Sequence, residues 1–161
     1  MRIFLKVQIL LLAVLFTACQ RQTMYPSLNE ASFTLFAEQS GFVIDDDETV
    51  FSLMGPSVTA VKIFDSLEYE IVFDNYHSEE FAKEIYQVFW KIGKEEFETS
   101  KMYGSKRTYG NMQSFTVSDD EDFMKCTRIG NTVMHAFGPI EFIEDAELFF
   151  SKTGYNFSGK K

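Results

Sequence analysis

The sequence predicts an α+β fold: one antiparallel sheet of about five strands with three helices packed on a face, in the order α-β-β-α-β-β-β-α. Three observations carry that reading. Residues 67–74 (LEYEIVFD) alternate apolar with polar side chains, the mark of a strand with one buried and one wet face. Gly130-Asn131 separates two apolar runs at the spacing of a two-residue hairpin. Apolar residues at helical spacing, with capping residues before them or a glycine after them, occur before, between and after the strand segments.

The first helix is expected over residues 28–40. Ser27-Leu28-Asn29-Glu30 has the S-x-x-E form of a capping box, and Leu28, Ala31, Leu35 and Phe36 make an apolar face. Gly41 stands where a helix ends in a left-handed residue, with Phe42 and Val43 turning back onto the core. The run 45–48 (DDDE) lacks the alternate spacing and mid-loop glycine of a calcium loop, so it reads as a solvated acidic loop. Residues 58–64 and 67–74 are strands joined by Asp65-Ser66. Ser78 caps a second helix with Glu79 and Glu80 in its first turn, and Phe81, Ile85, Val88 and Ile92 make its stripe up to Gly93. Phe89 and Trp90 are read as core. Residues 94–106 read as a loop or frayed helix end. A third strand spans 107–117, interrupted by Gly110-Asn111, and residues 119–122 (DDED) turn the chain. Residues 123–129 and 132–137 form the hairpin. Gly138-Pro139 then opens the last helix, with Ile143, Ala146 and Phe150 inward and Glu141, Glu144, Asp145 and Glu147 toward water. Its end, FFSKTGY, echoes FAEQSGF at 36–42, one helix-stop device used twice.

Composition describes one ordinary globular domain: 161 residues, 45% hydrophobic and 24% charged, with 18 phenylalanines as core material. The first 18 residues hold Arg2, Lys6 and no acid, so the remainder has 13 basic against 24 acidic side chains, a net of −11. That field repels phosphate backbones, so nucleic acid is not an expected partner. Two cysteines, Cys19 and Cys126, are too few for a disulfide framework.

Residues 1–18 read as a secretory leader. MRIFLK supplies a basic start and residues 7–16 an apolar stretch well short of the ~20 residues that span a bilayer. Its end, Phe16-Thr17-Ala18-Cys19, resembles the lipobox of bacterial lipoproteins, with Phe16 where that family usually has leucine. In that family the cysteine thiol receives a diacylglyceryl group, the chain is cut just before it, and the acylated cysteine becomes the first residue. The resemblance implies a signal peptide over 1–18, lipidation at Cys19 with palmitate-type chains, a tether over 19–26 and a single domain over 27–161. Two acyl chains meet the requirement for stable anchoring, so the expected place is the cell membrane, lipid-anchored and outward-facing.

The stretches YEIVFDNYHSEEFAKEIY (69–86), RIGNTVMHA (128–136) and FFSKTGY (149–155) are similar to a group of small uncharacterised lipoproteins of Gram-positive, Firmicutes-type bacteria. The resemblance covers most of the chain after the leader and brings no catalytic residue with it. His135 and Phe137 stand where the group usually has plain strand residues.

Two constellations carry chemistry. Hairpin register sets Cys126 opposite His135, and an imidazole beside a thiol can make a nucleophile or a metal ligand. The competing expectation is that Cys126 is a small core hydrophobe, with Met124, Val133 and Phe137 on its face, and His135 its satisfied neighbour. Lys101, Tyr103, Lys106, Arg107 and Tyr109 form a basic, aromatic patch in an acidic protein, read either as a binding surface or as loop charges offsetting nearby acids. One Cys and two His after the leader are too few for structural zinc, and no phosphate-binding glycine loop or serine-hydrolase elbow is present. The expected function is a non-enzymatic binding or interaction domain without cofactor, with a cell-envelope protein as partner class. The alternative is a thiol-dependent enzyme or redox protein using Cys126 and His135.

Overall fold

The computed structural model describes residues 24–45, 55–97 and 103–157. In chain order its elements are α1 (Glu30–Gln39), β1 (Val43–Asp45), β2 (Ser57–Phe64), β3 (Leu67–Asn75), α2 (Glu79–Glu96), β4 (Tyr103–Tyr109), β5 (Met112–Ser118), β6 (Asp122–Ile129), β7 (Thr132–Pro139), a single 3-10 turn (Ile140–Phe142) and α3 (Ile143–Lys152). The strands form one antiparallel sheet in the order β1-β2-β3-β7-β6-β5-β4. The acidic run at 46–48, Lys101, and the leader with Cys19 lie outside the described residues.

The α+β class holds, but the described strands number seven instead of about five. β1 is three residues long, too short to show a period, and pairs Val43 with Val61. The strand expected at 107–117 is two strands folded at Gly110, whose φ of +59° makes the turn. Its first arm begins at Tyr103, inside the stretch expected to be loop. The β6–β7 register is as read from the hairpin: Ile129 opposite Thr132, Thr127 opposite Met134, Cys126 opposite His135.

The three helices do not share a face. α1 and α3 cover one side, where Phe33, Phe42, Tyr69, Ile71, Phe73, Phe149 and Phe150 meet in the larger core. α2 covers the other over β5, β6 and β7, packing on Phe115, Val117, Cys126 and Val133. Strand β6 requires this arrangement, because residues 123–129 are buried without a break and a strand buried on both faces needs a cover on each.

Two helices turn other residues inward than their apolar stripes predict. Asn29, not Ser27, caps α1, its side chain accepting from the Ser32 N–H at 2.9 Å. Phe33 and Ala37 turn inward while Leu35 stays exposed. Ser78 caps α2 as expected, but the helix continues past Gly93 to Glu96. Gly93 lies against the sheet, where a Cβ would stand 3.0 Å from Val117 and 3.2 Å from Met124. The buried stripe is therefore Ala82, Tyr86 and Gly93, and Val88 and Ile92 remain exposed. Asp145 and Glu147 of α3 reach the sheet as well as water: Asp145 accepts from Lys62 at 2.7 Å and from the Tyr69 hydroxyl, and Glu147 from Lys125 at 2.8 Å.

Both helix stops behave as the sequence echo implies. Gly41 and Gly154 adopt φ of +84° and +82°, and the N–H groups of Phe42 and Tyr155 bond back to Ala37 and Phe150 at 3.0 and 2.7 Å.

Gly138 of β7 backs onto Tyr69 of β3, where an added Cβ would overlap the tyrosine Cβ. Gly138→Ala should lower the unfolding free energy by about 1–3 kcal/mol. Urea denaturation checks this as a reduced midpoint at unchanged slope.

Candidate functional site

The opposed pair Cys126 and His135 lies on the sheet face that α2 covers. Cys126 is fully buried, and burial first, then the Asp74 carboxylate, push its thiol well above the ordinary range, with Lys125 opposing weakly. Its own requirement as a nucleophile, a thiolate reachable from solvent, is not met. His135 is held on two sides: Nε2 stands 3.4 Å from Asp74 Oδ2, and the ring packs at a tilt against Phe89, 4.3 Å between centroids. Burial would raise the Asp74 carboxyl, but hydrogen bonds from His135, Ser57 and Tyr76 outweigh it and hold the group below the ordinary carboxylate range. The cluster is a satisfied polar network beneath a helix.

Strand alternation divides the basic patch. Lys106 lies opposite Phe115 on the α2 face, its ammonium 4.8 Å from the Trp90 ring centroid and 3.3 Å from Gln87 Oε1. Arg107 lies opposite Ser114 on the α1/α3 face. Tyr109 stands edge-on to Tyr25 at 6.2 Å. Tyr103 belongs to the edge strand β4.

From that patch Arg107 lines a pocket. This cavity of about 240 Å³ is bounded by Arg107, Ser114, Thr116, Lys125, Glu147, Asn156 and Phe157. Its floor is built by the sheet: Arg107, Ser114 and Thr127 share one register row, Thr116 and Lys125 the next. Lys125 is only 2% exposed. Its ammonium donates to Glu147 at 2.8 Å and to the Thr116 hydroxyl at 3.3 Å, and lies 5.2 Å from the Phe150 ring centroid. Burial pulls Lys125 below the ordinary lysine range and Arg107 adds to the pull, while Glu147 opposes it. The second Glu147 oxygen accepts from Asn156 at 2.5 Å, and Ser114 shares a 2.7 Å hydrogen bond with Thr127. Arg107 forms no ion pair among the described residues, so its fork of donors is available at the pocket wall.

Sequence reasoning placed Arg107 and missed Lys125, Thr116, Glu147 and Asn156. The available signal was Lys125 itself, a charge at an inward position between Phe123 and Thr127 in an expected strand. No family model matches the chain, and comparison with curated proteins and with solved structures finds no match.

Cys126 should resist a thiol reagent in the folded chain and react fully in denaturant, read by mass spectrometry of the labelled protein. The folded Asp74 carboxyl is more acidic than the unfolded one, so its stabilisation is present above about pH 4 and is lost as pH falls through the folded value. Asp74→Asn should flatten that acid limb of the stability curve, measured by denaturant titration at each pH.

Proposed function

We propose that the chain is a lipid-anchored, outward-facing domain of the cell membrane that binds a small solute through an oxyanion, carboxylate or phosphate, without transforming it. The observation that carries the binding reading is the juxtaposition of Arg107 and Lys125 at one pocket in a protein of net charge −9. A guanidinium without an ion pair among the described residues offers the bidentate geometry that carboxylate and phosphate match. Lys125 cannot swing away, because Glu147, Thr116 and Phe150 hold it, so little side-chain freedom is lost on binding. Glu147 and Asn156 give the same pocket partners for hydroxyl or ammonium groups beside the anion.

The anchor rests on the leader and on Phe16-Thr17-Ala18-Cys19. No helix among the described residues is long and apolar enough to cross a membrane. The thiol-enzyme alternative is weakened by the complete burial of Cys126.

Cys19→Ala should move the protein from the membrane pellet to the soluble fraction, and a mutant that still sediments with membranes rules out the anchor. Calorimetric titration with inorganic phosphate and, separately, with acetate should show saturable binding of one anion. Arg107→Ala should weaken it at least tenfold, about 1.4 kcal/mol. Heats that do not saturate for either anion, or an unchanged affinity in Arg107→Ala, would count against the pocket.

A further inference from the structure

The pocket beside Arg107 holds more chemistry than an ion clamp requires. Of the described lysines Lys125 is the buried one, yet its amino group meets Glu147 and Thr116, which line the same cavity. Sheet register puts it there. Lys125 on β6 and Thr116 on β5 are opposed in one row, and Arg107 on β4 and Ser114 on β5 in the next, so guanidinium and amine rise from one sheet face two strands apart.

A lysine becomes a nucleophile when its amine is neutral part of the time, which desolvation and a neighbouring cation both favour. Both act on Lys125. Burial is the larger, the Arg107 charge adds to it, and together they outweigh the opposing Glu147 carboxylate, so the group ionises below the ordinary lysine range. Glu147 is also the nearest base: its Oε1 accepts from Lys125 at 2.8 Å, within reach of proton transfer. Its side chain is 38% exposed, so water reaches a proton held there.

The cavity limits what fits. Its volume of about 240 Å³ is below the roughly 300 Å³ at which sites for drug-sized ligands begin, so the solute has few heavy atoms. Arg107, Lys125 and Glu147 sum to a single positive charge, the complement of one carboxylate. A 2-oxo acid carries the two matching groups on adjacent carbons, a carboxylate for the guanidinium fork and an electrophilic carbonyl for the amine.

We infer that Lys125 captures a short 2-oxo carboxylate as a reversible imine while Arg107 grips the carboxylate. This rests on the oxyanion reading of the pocket proposed above and names the class of solute. The ammonium first gives a proton to Glu147. The freed nitrogen lone pair bonds to the carbonyl carbon, the carbonyl π pair moves to oxygen, and a proton passes from nitrogen to that oxygen to give a carbinolamine. Glu147 then returns its proton to the hydroxyl, which leaves as water while the nitrogen lone pair closes the C=N double bond. Ammonium and ketone have become iminium and water, with nothing oxidised or reduced. The iminium carries the charge that the ammonium had, so Glu147 keeps its partner and no unpaired buried charge is created. Hydrolysis reverses the path and returns the acid unchanged, as retention of a solute requires.

The test uses the full chain purified from cells. It is incubated with pyruvate and sodium cyanoborohydride, which reduces an imine to a stable secondary amine, and the adducts are located by peptide mass spectrometry. Lys91, 76% exposed on α2, is the internal reference. Lys125 should carry at least tenfold more adduct than Lys91. Methyl pyruvate, which keeps the carbonyl and lacks the negative charge, should lower that ratio at least tenfold, and so should Arg107→Ala. Circular dichroism confirms that the variant folds, and the methyl pyruvate comparison needs no variant. An adduct at Lys125 no greater than at Lys91, or a ratio indifferent to methyl pyruvate or to Arg107→Ala, overturns the inference. The calorimetric acetate titration is read separately. Saturable acetate binding with Lys125 unlabelled removes the imine and leaves the anion pocket standing, whereas no acetate binding together with indifference to Arg107→Ala removes both.

Discussion

Strand β6 buries a cation on each of its faces, and the rest of the architecture answers that demand. Lys125 points to the α1/α3 side and Arg128 to the α2 side, each 2% exposed. An unpaired buried charge costs several kcal/mol, so each needs a carboxylate delivered by a covering element. Glu147 of α3 reaches Lys125 at 2.8 Å, and Glu79 in the first turn of α2 reaches Arg128 at 3.2 Å. Arg128 is further satisfied by Gln113 at 2.8 Å and the Gly130 carbonyl at 2.6 Å. The two cations thus fasten one helix to each face, and the sheet between them becomes an interior layer along β6.

The same constraint explains why the polar pocket and the polar cluster around His135 differ in character. Beneath α2, Asp74, His135 and Tyr76 satisfy one another and are closed over by Phe89 and the helix. On the opposite side α3 holds Lys125 through Glu147, and exposed Arg107 and half-buried Thr116 border the pocket at its flank. A charge held in place beside an exposed guanidinium is a pre-organised place for a counter-charge.

Much of the fold was legible because its local signals were strong. The alternation at 67–74, the Gly130-Asn131 hairpin, the Ser78 cap and the glycine stops at 41 and 154 each reflect chemistry within a few residues, and each stands in the structure. The candidate site was legible only in fragments. Cys126 and His135 are opposed as the hairpin requires, yet burial beneath α2, a partner from elsewhere in the chain, decides that the thiol is closed off. The basic patch was read as one surface because its members are neighbours in sequence, but consecutive strand residues point to opposite faces. Glu147, expected in water, is drawn to a strand cation 22 residues away in sequence.

By itself the sequence determined the α+β class, the hairpin register and the helix stops at Gly41 and Gly154, all properties set by periodicity, turn conformations and short-range capping. Only the tertiary structure decided that the sheet has helices on both sides and that Arg107 and Lys125 meet at one pocket. Those outcomes depend on which distant elements bury the charges and apolar rows of β6 and its neighbours, and burial is a sum over contacts that a linear pattern does not contain.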